Sequence, residues 1–379
     1  SICMHMNAGK DMAMEAEDRY LRRIQLTGRG SYIVSVPKDW VEQAGLKKGG
    51  RVEFSRQGPK GLLLAPFDGA RYEEDESTRC TIFVEANADP EGLERRLISL
   101  YVVGFLTIEI MSKSGNLATP VREVIRNVAR QKLVGTELVT ESAQSATLQV
   151  LLTFPQLIVP DALRRMSSIM SSMQQDAVQA LQTLDLELAR QVLKIDDEID
   201  RFSLYIIKQL KWAVQHTPLI ERIGLKTPVE CLGYRMITKV IERSADHAAR
   251  IGQSALQLSE PISPNILKEI GALNHLSATM METAIRSLYT QDYRLAESVL
   301  EQKEKTSEIE SRIVDRLLKE KIAANDLSSI RLISESLRRI GEYATDIAEV
   351  VLNLTVRKSI EQPIEHRSKY RPLPQQRSA

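Results

Sequence analysis

The segment IERSADHAARI at 241–251 returns as LRRIGEYATDI at 337–347, 96 positions further on. Both run from an apolar residue through a charge, Arg, a variable and a small residue, an acid, a ring and Ala to a closing Ile. Ile241, Ala245, Ala248 and Ile251 recur three to four apart, which is one face of an α-helix. Upstream, AVQALQTLDLELARQVL (177–193) aligns without a gap on AIRSLYTQDYRLAESVL (284–300) at an offset of 107. The offset therefore falls by 11, which places about eleven extra residues in one loop of the first copy. An internal duplication of this length constrains the fold more than any local propensity. It predicts a helical unit present twice.

Residues 161–356 read as helix almost throughout. The first copy has helices near 161–183, 186–215 and 228–258, and the second near 264–290, 292–321 and 325–356, with equivalent corners at Leu184-Asp185 and Gln291-Asp292. The expectation is an all-α pair of three-helix bundles, 160–258 and 263–356, each burying an apolar stripe such as Phe202, Ile206 and Leu210. Pro155 and Pro160 bracket a linker ahead of them. Residues 78–156 read as an α+β domain: strand TIFVEA, helix PEGLERRLISLYVV, strand LTIEIM, helix VREVIRNVARQK, then the strands ELVTES and ATLQVLLTF. Gly104 divides the apolar run 97–111 into a helix and a strand, and that run is shorter than the ~20 residues of a membrane span. The chain is expected to be multidomain, with tails at 1–20 and, basic and disordered, at 357–379.

The net charge of +1 hides an asymmetry. Residues 19–66 carry ten Lys/Arg against three acids, so this stretch is +7 and the remainder −6. A small basic domain on an acidic body is a footprint of anion or nucleic-acid binding. Cys3, Cys80 and Cys231 form no CxxC and no disulfide framework, which fits a reducing compartment. With no basic-then-apolar leader pattern at the start, the expected location is the cytoplasm. No GxxxxGK[ST] phosphate loop occurs, and none of the five histidines has Glu three residues before it, the spacing of a di-iron oxidase bundle. No nucleophile, base and orienter can be assembled, so an enzyme is not expected.

Residues 21–68 read as strand, turn, strand, short helix, strand, turn, strand. RRIQLT precedes Gly28-Arg29-Gly30-Ser31, YIVSV ends at Pro37, and Gly49-Gly50 leads into RVEFSR. Four short strands with so few apolar residues cannot close a core alone, so a partner chain is expected. TGRGSYIVSVPKDWVEQAGLKKGGRVEF resembles the swapped-hairpin DNA-binding domain of the SpoVT/AbrB type, in its Gly-rich first turn, Pro-Lys strand end and Leu-x-x-Gly-Gly entry. The resemblance implies a β-barrel interleaved from two chains that presents arginines to DNA. Arg22, Arg23 and Arg29, supported by Lys38, are the candidate DNA-binding residues.

In the helical body, Asp196/Asp200 and Glu242/Asp246 are pairs four apart, each on one helix face. Repelling carboxylates without Cys suit a hard cation such as Mg, Ca, Mn or Fe, with Zn the remaining candidate. The bland alternative is a solvated acidic face. "DDEID" on one helix and "ERSADHAARI" on the next resemble the PhoU family of phosphate-uptake regulators, whose two three-helix bundles bind metal clusters. That resemblance implies Asp197, Asp200, Glu242 and Asp246 as metal ligands. In the second copy Arg338 stands at the Glu position, Glu342 at the Asp position and Ser307 opposite Asp200, while Glu304 keeps its charge. One metal site is therefore expected rather than two, with His247 a neighbour and not a ligand.

The whole order resembles archaeal PhoU-type phosphate regulators with an AbrB-like N-terminus. It implies a cytoplasmic, homodimeric, DNA-binding regulator of phosphate uptake. The competing expectation is an adaptor that dimerises through its N-terminus and contacts a phosphate ABC transporter or a sensor kinase.

Overall fold

The computed structural model describes residues 20–28, 30–57, 61–67, 78–85, 88–151, 157–216 and 218–360, in two compact units that divide after Glu73. Arg29, most of the expected first tail and residues 361–379 of the second lie outside the described residues.

The first unit has two antiparallel hairpins. β1 (Gln25–Thr27) pairs with β2 (Ser31–Ile33), and β3 (Val52–Gln57) with β4 (Gly61–Pro66). Between them lies α1 (Lys38–Gln43), which Pro37 opens with its fixed φ. Gly28, at φ 64°, takes the left-handed conformation that the tight first turn needs. The elements follow the predicted order. Among the described residues of this unit no side chain is fully buried. Leu26, Tyr32, Val34, Phe54 and Leu62 all stand in solvent.

In the second unit, β5 (Arg79–Val84) crosses through α2 (Pro90–Val103) to the parallel strand β6 (Thr107–Ser112). Asp89 caps α2 and Gly104 ends it at φ 118°, the break the sequence predicts. α3 (Thr119–Asn127) continues into a wide π-turn, Val128–Lys132. β7 (Thr136–Glu141) and β8 (Ser145–Val150) complete a sheet of order β5-β6-β8-β7.

The helical body follows. α4 (Val159–Thr183), α5 (Leu186–Gln215) and α7 (Glu230–Leu256) form the first bundle, with a short α6 (Leu219–Arg222) before α7. α8 (Pro264–Thr290), α9 (Tyr293–Leu300), α10 (Lys303–Leu317) and α11 (Ala324–Ser359) form the second. The repeat is visible in detail at the corners. Leu184 and Gln291 both close their helices in the left-handed region, at φ 58° and 52°, and Asp185 and Asp292 then cap the next helices.

Three expectations change. The eleven extra residues do not sit in one loop; they are shared between a longer α5 and the segment that carries α6. The second helix of the second copy is broken, because Gln302 N–H donates to the Val299 carbonyl instead of four residues back. Neither Pro nor Gly marks that spot. The last helix also runs to Ser359, into the segment expected to be a tail.

The two bundles share one continuous apolar core. α7 and α11 pack antiparallel, and His247 lies against Tyr343, ring centroids 5.7 Å apart. These two residues are exactly repeat-equivalent, 96 apart, so a pseudo-twofold axis passes between them.

The α+β layer packs on the first bundle through α2 and the π-turn against α5. Leu204 joins the layer's own core, and Lys208, buried, lies 4.3 Å from the Tyr101 ring centroid. Burial lowers the Lys208 pKa from 10.5 to about 8. The charged form is penalised in full below pH 8, and the penalty fades as pH rises towards 10.5, where the unfolded lysine also loses its proton. Lys208→Met is therefore expected to stabilise the fold at pH 7 by about 2 kcal/mol, the relieved desolvation less the lost ring contact. Urea denaturation at pH 7 and pH 10 checks this: the gain should shrink at the higher pH.

Candidate functional site

Helical spacing brings four carboxylates to the face where α5 meets α7. Asp196 and Asp200 come from α5, Glu242 and Asp246 from α7. Burial, and then mutual repulsion, raises the proton affinities of the three aspartates. Burial and then the charges of Asp246, Asp200, Asp197 and Glu242 push Asp196 up to about 6. Asp200 is raised by burial and Glu242, and Asp246 likewise. The ammonium of Lys239, one turn before, rests on Glu242.

Asp197 turns away. It is 60% exposed and accepts a 2.7 Å hydrogen bond from Lys132 Nζ, at the end of the π-turn. Of the ligands implied by the resemblance, Asp200, Glu242 and Asp246 thus lie together, with Asp196 as the fourth member. The sequence holds the signal for this: Asp196, not Asp197, is four residues from Asp200. His247 is directed inward, within 3.2 Å of Ser336 Oγ, and burial with Arg250 and Arg339 nearby lowers its pKa to about 4.

The donor set is oxygen-only and half-buried, the chemistry of a hard divalent site, but Lys132, Lys239, Arg243 and Arg250 already place positive charge around it. Among the described residues, no three such side chains converge as a bound ion requires, and Lys239 occupies Glu242.

The second bundle resolves the same problem differently. Arg338, at the position equivalent to Glu242, donates from Nε to Glu310 Oε2 at 2.8 Å and pairs with Glu342. Arg331 holds the other oxygen of Glu310 at 2.9 Å, and Arg339 holds Glu342 at 3.0 Å. Lys303 takes the position equivalent to Asp196, and its charge acts on Asp346. Cations of the chain itself fill this face.

In the first unit, Arg22 stacks over the Tyr20 ring at 5.6 Å and donates to the Leu21 carbonyl. Arg23 is exposed and makes no ion pair among the described residues. Lys38 pairs with Glu42 at 3.4 Å on an exposed helix, a contact worth little in water.

Comparison with known proteins bears on both units. Residues 163–255 and 270–351 match the family described as PhoU domain. Two stretches of the body, one in each bundle, thus resemble the PhoU domain. Residues 25–70 match the family described as antidote-toxin recognition MazE, bacterial antitoxin. Over 206 residues the chain is 26% identical to a phosphate-specific transport system accessory protein PhoU homolog of Thermotoga maritima, covering 52% of this chain and 86% of that one. A homolog with the same description from Pseudomonas aeruginosa is 28% identical over 196 residues, covering 50% and 78%. The crystal structure of PhoU from Pseudomonas aeruginosa superposes with a TM-score of 0.47 at 26% identity, over 53% of this chain and 96% of that one.

The carboxylate face lies in the first of these PhoU-like stretches and the arginine clamp in the second. Removing the clamp should expose what it neutralises. Arg338→Met leaves Glu310 and Glu342 half-buried with one partner fewer each, and is expected to cost about 2 kcal/mol in urea unfolding. A change below about 0.5 kcal/mol would mean the clamp is a solvated surface network.

Proposed function

We propose that the chain is a regulator of phosphate uptake that binds DNA through its N-terminal unit and senses state through its PhoU pair. The observation that carries this is the joining of two unlike parts. A basic unit with apolar strands in solvent is attached to a body whose relatives are described as phosphate-specific transport system accessory proteins. The exposed Leu26, Tyr32, Phe54 and Leu62 call for a second copy to cover them, which supports a homodimer in which hairpins of two chains close a swapped barrel. Such a dimer would double the basic surface offered to DNA phosphates. No helix among the described residues is long and apolar enough to cross a membrane, and the reading places the protein in the cytoplasm.

Asp196, Asp200, Glu242 and Asp246 would hold a single divalent cation once Lys239 leaves Glu242, with Asp197 outside the ligand set. The ion would supply charge neutralisation, joining α5 to α7. Mn, Mg, Fe and Zn are the candidates, and the second bundle, clamped by Arg338, would hold none. The adaptor reading, in which the N-terminus only dimerises the chain and the body contacts a phosphate transporter or sensor kinase, draws on the accessory-protein descriptions of the relatives.

The test is a salt titration of binding to duplexes from upstream of the chain's own gene and to scrambled controls, read by fluorescence anisotropy. Arg22→Ala with Arg23→Ala is expected to weaken binding about tenfold or more and to reduce the log–log salt slope by about two. Arg29→Ala should add to the loss. Equal, weak binding to every duplex, untouched by these changes, would favour the adaptor.

A further inference from the structure

The sheet of the α+β layer ends in two unlike edges. At one, β7 carries Glu137, Glu141 and a bulge between Leu138 and Thr140, the devices that discourage a further strand from pairing. At the other, β5 has β6 as its one neighbour among the described residues. Its register with β6 is unbroken, and between Arg79 and Glu85 the run Cys-Thr-Ile-Phe-Val holds no charge, Pro or Gly. Val84 C=O accepts from Lys113 N–H on the β6 side, and backbone groups alternate in direction along a strand. Cys80, Ile82 and Val84 therefore bond towards β6. The N–H and C=O of Thr81 and Phe83 point out from the edge, where the described residues supply no partner. The side chains alternate as well: Ile82 and Val84 are buried in the layer's core, while Thr81 and Phe83 stand on the open face, Phe83 55% exposed.

This edge is complementary to itself when turned antiparallel. A twofold axis at Ile82 sets Arg79 against Glu85 of a second copy, Cys80 against its Val84 and Thr81 against its Phe83, each pairing occurring twice. Opposite charges then meet at both ends. Glu85, which holds Lys113 at 2.8 Å through Oε1, can accept from Arg79 of the copy on Oε2. Thr81 and Phe83 form the hydrogen-bonded pair, and Ile82 faces Ile82 as the non-bonded pair between them. Sliding the copy by one residue would set inward side chains beside outward ones, and sliding it by two would set Arg79 against Phe83 or Glu85 against Thr81. We propose that β5 is a self-association edge: the β5 strands of two copies pair antiparallel about Ile82 and join two four-stranded sheets into one. This surface is separate from the hairpins of the first unit, and it stands whether or not those close a barrel. A second copy is the occupant because its own β5 supplies the acid opposite Arg79 and the base opposite Glu85.

Amide hydrogen exchange of the purified full chain, resolved to single residues, is the first test. Thr81 and Phe83 are expected to be protected to within about tenfold of Ile82. Free exchange at those two, with Cys80, Ile82 and Val84 still protected, would show an open edge and overturn the proposal. The second test is a cross-link. In a full chain also carrying Cys3→Ser and Cys80→Ser, Ile82→Cys places two thiols across a non-bonded pair with Cα atoms about 4.5 Å apart, within disulfide reach. On mild oxidation it should join two chains at least about tenfold faster than Glu137→Cys, on the opposite edge of the sheet, in the same background. Arg79→Glu should slow that cross-link about tenfold, and Arg79→Glu with Glu85→Arg should restore it. Cross-linking no faster than at Glu137→Cys, a rate indifferent to Arg79→Glu, or a double reversal that restores nothing would each overturn the proposal. The exchange measurement uses the unaltered chain, so it decides the matter even where Ile82→Cys fails to fold.

Discussion

The antiparallel packing of α7 on α11, with His247 against its repeat-equivalent Tyr343, organises the body. A duplicated three-helix unit leaves one apolar face uncovered in each copy. Placing the two faces together about a pseudo-twofold axis buries both in a single core. Cross-links beside the axis reinforce it: Gln174, buried on α4, donates to Asn274 Oδ1 and Ser277 Oγ on α8, both at 2.9 Å. Burial, and then the charges of Arg250 and Arg339, hold His247 neutral there.

Given that frame, the polar residues on the flanks were free to diverge. The first copy keeps Asp196, Asp200, Glu242 and Asp246, and burial together with their repulsion raises the proton affinity of the three aspartates. The second replaces two of the equivalent acids with Lys303 and Arg338 and a third with Ser307. Arg243 stands between the copies, its charge felt by Asp246 in one and Asp346 in the other. A symmetrical scaffold thus carries an asymmetrical charge pattern. The α+β layer lies on the bundle that stayed acidic, with Lys132 at the point of contact.

Much of this was legible in the sequence because long periodic helices and their corners are local signals. Leu184-Asp185 and Gln291-Asp292 marked the turns, and Gly104 marked the end of α2. The second-copy erosion at Arg338 was also legible. What escaped depended on tertiary geometry. The Lys132–Asp197 pair, which holds Asp197 away from the other acids, joins residues 65 apart that no local pattern connects. The break between α9 and α10 replaces one backbone hydrogen bond without Pro or Gly to announce it. In the N-terminal unit the strand order was readable from alternation and glycine turns. Its exposed apolar residues show why its core could not be inferred from one chain.

The division of roles between the two bundles is most directly tested by stoichiometry. Equilibrium dialysis of the full chain against Mn2+, followed by elemental analysis, should give one ion per chain, abolished by Glu242→Ala with Asp246→Ala and unaffected by Glu342→Ala. Two ions per chain, or one that persists in the Glu242→Ala, Asp246→Ala variant, would contradict the assignment of cation binding to the first bundle alone.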